Sequence, residues 1–140
     1  IEGYAFQQNN GSIRYPHWVF YVTDQLESMY DAQQIYRSGF TVYTTLDPAL
    51  QEQAEQIVKQ QVLGLADRNV TDGALVAIRP NTGEILAMVG SADFYNEAIS
   101  GQVNMAISPR QPGSSIKPLT YLAAFEKGKQ YVQTLISEES

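Results

Sequence analysis

The chain contains the stretch Arg110-Gln111-Pro112-Gly113-Ser114-Ser115-Ile116-Lys117-Pro118, which predicts a turn followed by the first turn of a helix. Apolar residues continue on nearly every side through Phe125, so we expect a buried helix that starts at Ser114 or Ser115. Pro118 fits this interpretation because N–H groups in the first turn of a helix have no intrahelical partner. Ser114 and Lys117 are three residues apart and would share one face of that helix.

Ser114 and Lys117 together could form a nucleophile and the base that activates it. A serine hydroxyl attacks well when a neighbouring base removes its proton, and a neutral lysine amine can be that base. Burial of the helix would desolvate Lys117 and favour its neutral form. The positive potential at a helix N-terminus would stabilise negative charge on the serine oxygen and on a developing oxyanion. We therefore take both residues as catalytic candidates.

The pattern Ser-x-x-Lys is short, and by itself it favours a helix-capping serine beside a solvated lysine over a catalytic pair. Between Ala98 and Phe125 the chain contains Arg110 and Lys117 but no Asp or Glu, although the chain as a whole is acidic. This stretch either leaves room for an anionic ligand or merely belongs to a buried helix and its approach loop. The charge pattern does not separate these two interpretations.

An apolar hairpin is predicted upstream of this stretch. Residues 74–78 form a continuous apolar run, typical of a strand that is covered on both faces. Residues 80–83 read Pro-Asn-Thr-Gly and have turn chemistry, and residues 84–89 return as a second strand. We expect this hairpin to expose its sheet edges when it is considered without further strands.

The first part of the chain predicts a helix and then a short strand. Pro16 suits the first position of a helix, and an apolar stripe continues from there to about Tyr30. Residues 40–45 are mostly β-branched or aromatic, which favours a strand.

A second helix is predicted from its capping residues. Asp47 is suited to the N-cap and Pro48 to the first helical position. An amphipathic pattern follows and ends at about Leu63 or Ala66. The polar residues 68–73 then form the best candidate for a domain boundary.

Charge and composition argue against several classes of function. The net charge of −6, from 9 basic and 15 acidic residues, disfavours nucleic acid as a partner. The chain has no Cys and one His, so we expect no metal site. That residue, His17, lies beside Pro16 and Trp18, which favours a packing or surface role over a catalytic triad. No apolar run approaches the roughly 18 residues that a membrane-spanning helix needs.

Four segments occur in an order and spacing that are far more specific than any one of them alone. They are Tyr43-Thr44-Thr45-Leu46-Asp47-Pro48-Ala49-Leu50-Gln51, Gly73-Ala74-Leu75-Val76-Ala77-Ile78, Thr82-Gly83-Glu84-Ile85-Leu86-Ala87-Met88-Val89-Gly90 and Arg110-Gln111-Pro112-Gly113-Ser114. From about Tyr15 onward the chain therefore resembles the bifunctional, class A penicillin-binding proteins of bacterial cell-wall synthesis. Penicillin-binding proteins combine a Ser-x-x-Lys motif with Ser-Asp-Asn and Lys-Thr-Gly motifs.

The resemblance implies an α+β fold, part of the transpeptidase fold of penicillin-binding proteins and serine β-lactamases, with a β-hairpin and a buried nucleophile helix. It implies that Ser114 attacks the D-Ala-D-Ala bond of peptidoglycan stem peptides, with Lys117 as base and the backbone N–H of Ser114 as an oxyanion donor. β-Lactams would acylate the same serine, and no cofactor is required. The full-length protein would be membrane-anchored at the outer face of the cytoplasmic membrane, in the periplasm.

The resemblance also divides the chain. Residues 1–71 would be an inter-domain linker region with an amphipathic helix, and residues 72–140 the N-terminal part of the transpeptidase domain. No Ser-x-Asn or Lys-Thr-Gly triplet occurs in the chain, so we expect both motifs in the remainder of the same polypeptide. The chain is then a fragment, inactive alone, and its substrate-binding residues stay unassigned.

Other proteins share the Ser-x-x-Lys motif. A D,D-carboxypeptidase and a class A β-lactamase are the alternatives among enzymes, and the linker segment 43–51 argues against both. A β-lactam sensor or non-catalytic scaffold with the same fold is the alternative from another class. Stable labelling of Ser114 by penicillin without turnover of cell-wall peptides would favour the sensor.

Overall fold

The chain forms two compact units, Ile1–Ser108 and Pro109–Ser140, in a computed structural model that describes residues 13–30, 35, 37, 39 and 41–126. The first unit contains helices α1 (Pro16–Met29) and α2 (Pro48–Gly64), strands β1 (Leu75–Ile78) and β2 (Ile85–Val89), and the 3₁₀ turns Ala66–Arg68 and Glu97–Ile99. The second unit contains the 3₁₀ turn Gly113–Ile116 and helix α3 (Lys117–Glu126). Across the described ranges, no helix is both long enough and apolar enough to cross a membrane.

Helix α1 begins at Pro16, as the sequence predicts. A proline in the first helical position leaves no N–H unpaired, and its fixed φ suits the helix. The helix ends at Met29, one residue before the predicted end. It buries His17 and Trp18 in the first unit, and Trp18 Nε1 donates a hydrogen bond to Thr44 Oγ1 at 3.3 Å.

The strand predicted over residues 40–45 is wrong. Residues 41–47 belong to no strand, and residue 40 lies outside the described part of the chain. Their contacts with β2 are individual hydrogen bonds, from Thr45 Oγ1 to the carbonyl of Ile85 at 2.6 Å and from the Asp47 N–H to a β2 carbonyl. β-Branched and aromatic residues favour extended backbone wherever it occurs, so their pattern does not guarantee a partner strand.

Helix α2 follows the predicted capping chemistry. Asp47 Oδ1 accepts hydrogen bonds from the N–H groups of Ala49 and Leu50 at 3.0 and 3.1 Å. Pro48 is the first helical residue, and the helix ends at Gly64. The predicted N-cap is therefore confirmed, as is a helix end between Leu63 and Ala66.

A small apolar core joins α2 to the hairpin. Ala54 and Val58 of α2 are buried together with Ala87 and Val89 of β2. Each buried methylene in such a contact contributes about 0.8 kcal/mol to stability. The contact packs a helix that we predicted to be linker against strands that we predicted to be transpeptidase domain, and the division between residues 71 and 72 stays a prediction.

The hairpin predicted over residues 74–89 is confirmed. Strands β1 and β2 pair antiparallel, with Leu75 opposite Val89. Gly83 closes the turn with a φ of 76°, which residues with a Cβ rarely adopt, and its N–H donates to the carbonyl of Arg79 at 2.8 Å. The turn and the two strands thus form at the predicted positions.

Strand β1 is covered on one face, which corrects the expectation of two covered faces. Leu75 and Ala77 pack against the core, whereas Val76 and Ile78 are 38% and 54% exposed. The described helices pack mainly against β2 and do not cover the second face of β1. That face is therefore exposed to solvent. A continuous apolar run indicates a strand, but it does not show whether one face of the strand or both are covered.

The outer edge of β2 is covered, so the expectation that the hairpin exposes its edges does not hold for this strand. The side chain of Gln51 is buried, its Oε1 accepts from the Met88 N–H at 2.8 Å, and its Nε2 donates to the Met88 carbonyl at 3.0 Å. These are the two bonds that a residue of a neighbouring strand would make. The carbonyl of Leu86 accepts from the Asp47 N–H at 2.9 Å. The edge is therefore satisfied by α2 and the residue before it.

Helix α3 is exposed, which corrects the prediction of a buried nucleophile helix. Leu119, Leu122 and Phe125 are 63%, 56% and 40% exposed. The helix begins at Lys117, later than predicted, because residues 113–116 form a tighter 3₁₀ turn. An apolar helix is buried only where other elements cover it, and the described part of its own unit contains only this turn besides the helix.

Candidate nucleophile site

Ser114 lies in the 3₁₀ turn directly before α3. Gly113 takes a φ of 55°, the left-handed conformation that glycine adopts without steric cost. Pro112 precedes it with a φ of −72°, within the range that its ring allows. The Pro-Gly pair therefore sets a sharp change of chain direction and places Ser114 at the start of the helical segment.

The two adjacent serines of the turn have different hydrogen bonds. The hydroxyl of Ser115 donates its proton to the carbonyl of Pro112, and the Ser115 N–H donates to the same carbonyl at 3.3 Å. The Ser114 carbonyl accepts from the Lys117 N–H, and the Ser114 side chain is exposed. The proton of Ser115 is thus engaged by an acceptor, which leaves Ser114 as the better candidate nucleophile of the pair.

Lys117 is the first residue of α3, three positions after Ser114. Both side chains are exposed, which corrects the expectation that a buried helix desolvates the lysine. Desolvation is the effect that favours a neutral amine, so the described residues do not supply it here. The structure keeps Ser114 and Lys117 within one helical turn along the chain, and their roles as nucleophile and base stay predictions.

The charges near the turn are compatible with an anionic group at its N-terminal end. Neither the 3₁₀ turn nor α3 has an acidic residue in its first turn. Partial positive charge at the start of a helix is therefore not cancelled by a nearby carboxylate of the same segment. Within the described ranges, no group of three or more His, Cys, Asp or Glu side chains is placed to hold a metal ion.

His17 has the packing role that the sequence indicates. It is buried in the first unit, its Nε2 lies 2.9 Å from Ser91 Oγ, and its ring meets the ring of Phe94 edge-on. Ser91 Oγ in turn donates to the carbonyl of Gly101 at 2.7 Å. Since that carbonyl can only accept, the proton of Ser91 is committed to it, and His17 does not act as a base on this serine.

Gln51 is the buried polar residue whose role the sequence analysis missed. A signal was present, because Gln51 shares one helical face with Ala54 and Val58, at spacings of three and four residues. A polar side chain in an apolar stripe requires a buried hydrogen-bond partner. Which partner it finds depends on the strand packed against the helix, and that information is not local in sequence.

Residues 73–140 match the family described as the penicillin binding protein transpeptidase domain. The chain is 37% identical over 108 residues to penicillin-binding protein 2D of Bacillus subtilis, a match that covers 77% of this chain and 15% of the relative. It is 36% identical over 96 residues to penicillin-binding protein 1B of Vibrio cholerae, which covers 67% of this chain and 12% of the relative.

Penicillin-binding protein 1A of Aquifex aeolicus is 43% identical over 65 residues, 46% of this chain and 8% of the relative. The chain therefore spans a small part, 15% or less, of the length of these curated relatives. No solved structure gives a significant match.

Proposed function

The chain belongs to the penicillin-binding proteins, with residues 73–140 in their transpeptidase family, and from this premise we propose that Ser114 is the nucleophile of a D-Ala-D-Ala transpeptidase. The substrate would be the stem peptide of peptidoglycan. The observation that carries the proposal is the presentation of Ser114 within the matched segment: an exposed side chain on a Pro-Gly turn, one turn before Lys117.

The proposed reaction has two acyl-transfer steps. The Ser114 oxygen attacks the carbonyl carbon of the penultimate D-Ala, Lys117 takes the hydroxyl proton, and the bond to the terminal D-Ala breaks. Lys117 then passes this proton to the leaving amine, and D-Ala departs. An amine of a second stem peptide attacks the acyl-enzyme, forms the cross-link and loses a proton, which Lys117 transfers to the serine oxygen as the ester bond breaks.

The backbone of the turn supports the assignment of an oxyanion donor. The first hydrogen bond of the turn runs from the Ser115 N–H to the Pro112 carbonyl. The Ser114 N–H precedes that bond, among the donors that a helical start leaves without an internal partner. A donor in this position, together with the potential of the helix start, would stabilise the negative oxygen of a tetrahedral intermediate.

We also propose that the active site is completed by the remainder of the same polypeptide, which would carry the Ser-x-Asn and Lys-Thr-Gly motifs. This partner would supply the cover that makes Lys117 neutral. β-Lactams would acylate Ser114 in place of the stem peptide. Because the substrate is cell-wall peptide, the site would face the periplasmic side of the cytoplasmic membrane.

Labelled penicillin tests the nucleophile in the intact protein. Ser114→Ala is expected to lower covalent labelling by at least about a thousandfold, because no other group replaces the attacking oxygen. Ser115→Ala is the matched control and should label as the parent does, since the Ser115 proton is bonded to the Pro112 carbonyl. Persistent labelling of Ser114→Ala would refute the assignment.

The base is tested by Lys117→Arg, which keeps a long side chain with hydrogen-bond donors. A guanidinium stays protonated and cannot accept the serine proton, so acylation is expected to slow by about a hundredfold or more. Product analysis separates the enzymes that share the motif: a transpeptidase forms cross-linked peptides, whereas a carboxypeptidase only releases D-Ala. A sensor would label stably and turn over neither peptide.

A further inference from the structure

A cavity of about 350 Å³ lies beside α1 in the first unit. One face of α1 contributes His17, Phe20, Tyr21 and Asp24, which recur at helical spacing. Residues that follow β2, among them Phe94, line the cavity as well. All of these residues belong to the first unit, and none of them is part of the turn that carries Ser114.

Aromatic rings form much of the cavity wall. Phe20 and Phe94 stack with ring centroids 5.8 Å apart and planes 16° from parallel, and His17 meets Phe94 edge-on at 5.0 Å. Phe20 remains 47% exposed, so its ring is accessible to a ligand. The faces of aromatic rings carry negative potential and attract cations.

The charge of the cavity has one sign. Asp24 lies one helical turn after Phe20 and is exposed, and no Lys or Arg is among the described residues that line the cavity. His17 is the lining residue that could become positive, but its burial lowers its pKa and so favours the neutral ring. A positively charged group therefore meets a carboxylate and ring faces without a competing cation.

We propose that this cavity binds one long basic side chain, lysine or arginine, of a partner peptide. The cation would sit between the Phe20 ring and the Asp24 carboxylate, and the alkyl part would cover the exposed carbons of Phe20 and Ile107, which are 47% and 52% exposed. The volume of about 350 Å³ is near the lower limit of small-molecule sites, which suits a single side chain.

The test titrates the intact protein with a fluorescent acetyl-Gly-Gly-Lys-Gly-Gly-amide, after benzylpenicillin has saturated the site of acylation. The same peptide with arginine, or with the uncharged isostere norleucine, is titrated in parallel. We expect the lysine and arginine peptides to bind about tenfold more tightly than the norleucine peptide. The preference should shrink as salt is added, because exposed charges are screened.

Two variants assign the preference to this cavity. Asp24→Asn is expected to remove most of the preference for lysine over norleucine, and Phe20→Leu, which keeps apolar bulk without a ring, should weaken binding of the lysine peptide several-fold. Asp67→Asn removes one exposed carboxylate in the turn Ala66–Arg68, outside the cavity, and should change nothing. Circular dichroism confirms that each variant is folded.

Equal binding of the lysine and norleucine peptides would overturn the proposal. An equal loss of the preference for the lysine peptide in Asp24→Asn and Asp67→Asn would also overturn it. A chito-oligosaccharide serves as the competing probe. The proposal fails if the oligosaccharide binds, if Phe20→Leu weakens its binding and Asp24→Asn does not, and if the lysine peptide binds no more tightly than the norleucine peptide. The aromatic wall would then bind a sugar. Binding by Ser114→Ala is measured alongside, so that a loss of acylation does not affect the outcome.

Discussion

The hydrogen bond of the Ser91 hydroxyl determines which ring nitrogen of His17 carries the proton. Ser91 Oγ donates to the carbonyl of Gly101 at 2.7 Å and is therefore an acceptor toward the imidazole, 2.9 Å away. The neutral His17 ring accordingly carries its proton on Nε2. Burial opposes a second proton and lowers the pKa of His17, while a hydrogen bond with the Gly101 backbone and the charge of Asp72 act in the opposite direction.

This lowered pKa predicts a loss of stability in mild acid. Because the folded state binds the proton less well than the unfolded state, whose His titrates near pH 6.5, the unfolded state gains protons first as the pH falls. The contribution of His17 is intact above about pH 6.5 and is lost as the pH falls toward the folded-state pKa. Urea unfolding between pH 7.5 and pH 5 measures this effect.

His17→Gln supplies the comparison, because its amide N–H can still donate to Ser91 but does not titrate. The parent should lose more stability than the variant below about pH 6.5. Since the chain contains one His, NMR titration of its ring also reads its pKa directly. A ring pKa at or above the unfolded value, or parallel stability curves, would contradict the prediction.

At the scale of elements, a side chain replaces a strand. Gln51 of α2 makes both hydrogen bonds with the backbone of Met88 that a third strand would make, and the Asp47 N–H bonds to the Leu86 carbonyl. A helix and its N-cap thereby close the β2 edge, which an unpaired strand would offer to other chains. The segment 43–51, which carries part of the family resemblance, thus holds the hairpin.

Gln51→Leu tests this edge closure. The substitution leaves the N–H and the carbonyl of Met88 buried without partners, and we expect the free energy of unfolding to fall by about 2–5 kcal/mol. Gln53→Leu, at an exposed position of the same helix, is the control and should change stability by less than about 0.5 kcal/mol. Equal urea midpoints for the two variants would show that the edge bonds do not contribute.

At the scale of the whole molecule, the exposed apolar surface of α3 requires an explanation. Leu119 and Leu122 are 63% and 56% exposed, although the helix directly follows the candidate nucleophile. The chain spans 15% or less of its curated relatives, and under the proposal the remainder of the same polypeptide would cover this helix. Such cover would also desolvate Lys117, as the proposed base requires.

Thiol labelling at position 122 measures this cover. The chain has no Cys, so Leu122→Cys introduces a single reactive thiol. We expect it to react with a maleimide at close to the denatured-state rate in the 140-residue chain, and at least about tenfold more slowly in the intact protein. The maleimide reaction rate of each sample in denaturant is used to normalise its rate under native conditions. Equal fast reaction in both would mean that α3 stays exposed, and the proposed activation of Lys117 would lose its physical basis.

Local signals account for what could be predicted. Asp47 and Pro48 start α2, and Gly83 closes the hairpin turn, because capping and positive φ are decided by one residue and its immediate neighbours. The nucleophile candidate came from the three-residue spacing of Ser114 and Lys117 together with the resemblance of four ordered segments to penicillin-binding proteins. The strand over residues 40–45 failed because pairing requires a second segment, which no local pattern supplies.

The sequence by itself determined where α1, α2 and the hairpin turn begin, which segments are apolar, and that Ser114 precedes Lys117 by one turn. Tertiary structure alone decided that Gln51 closes the β2 edge and that Phe20 and Phe94 meet at a cavity. The reason is physical: capping and turn energies depend on neighbours along the chain, whereas burial depends on which distant surfaces meet.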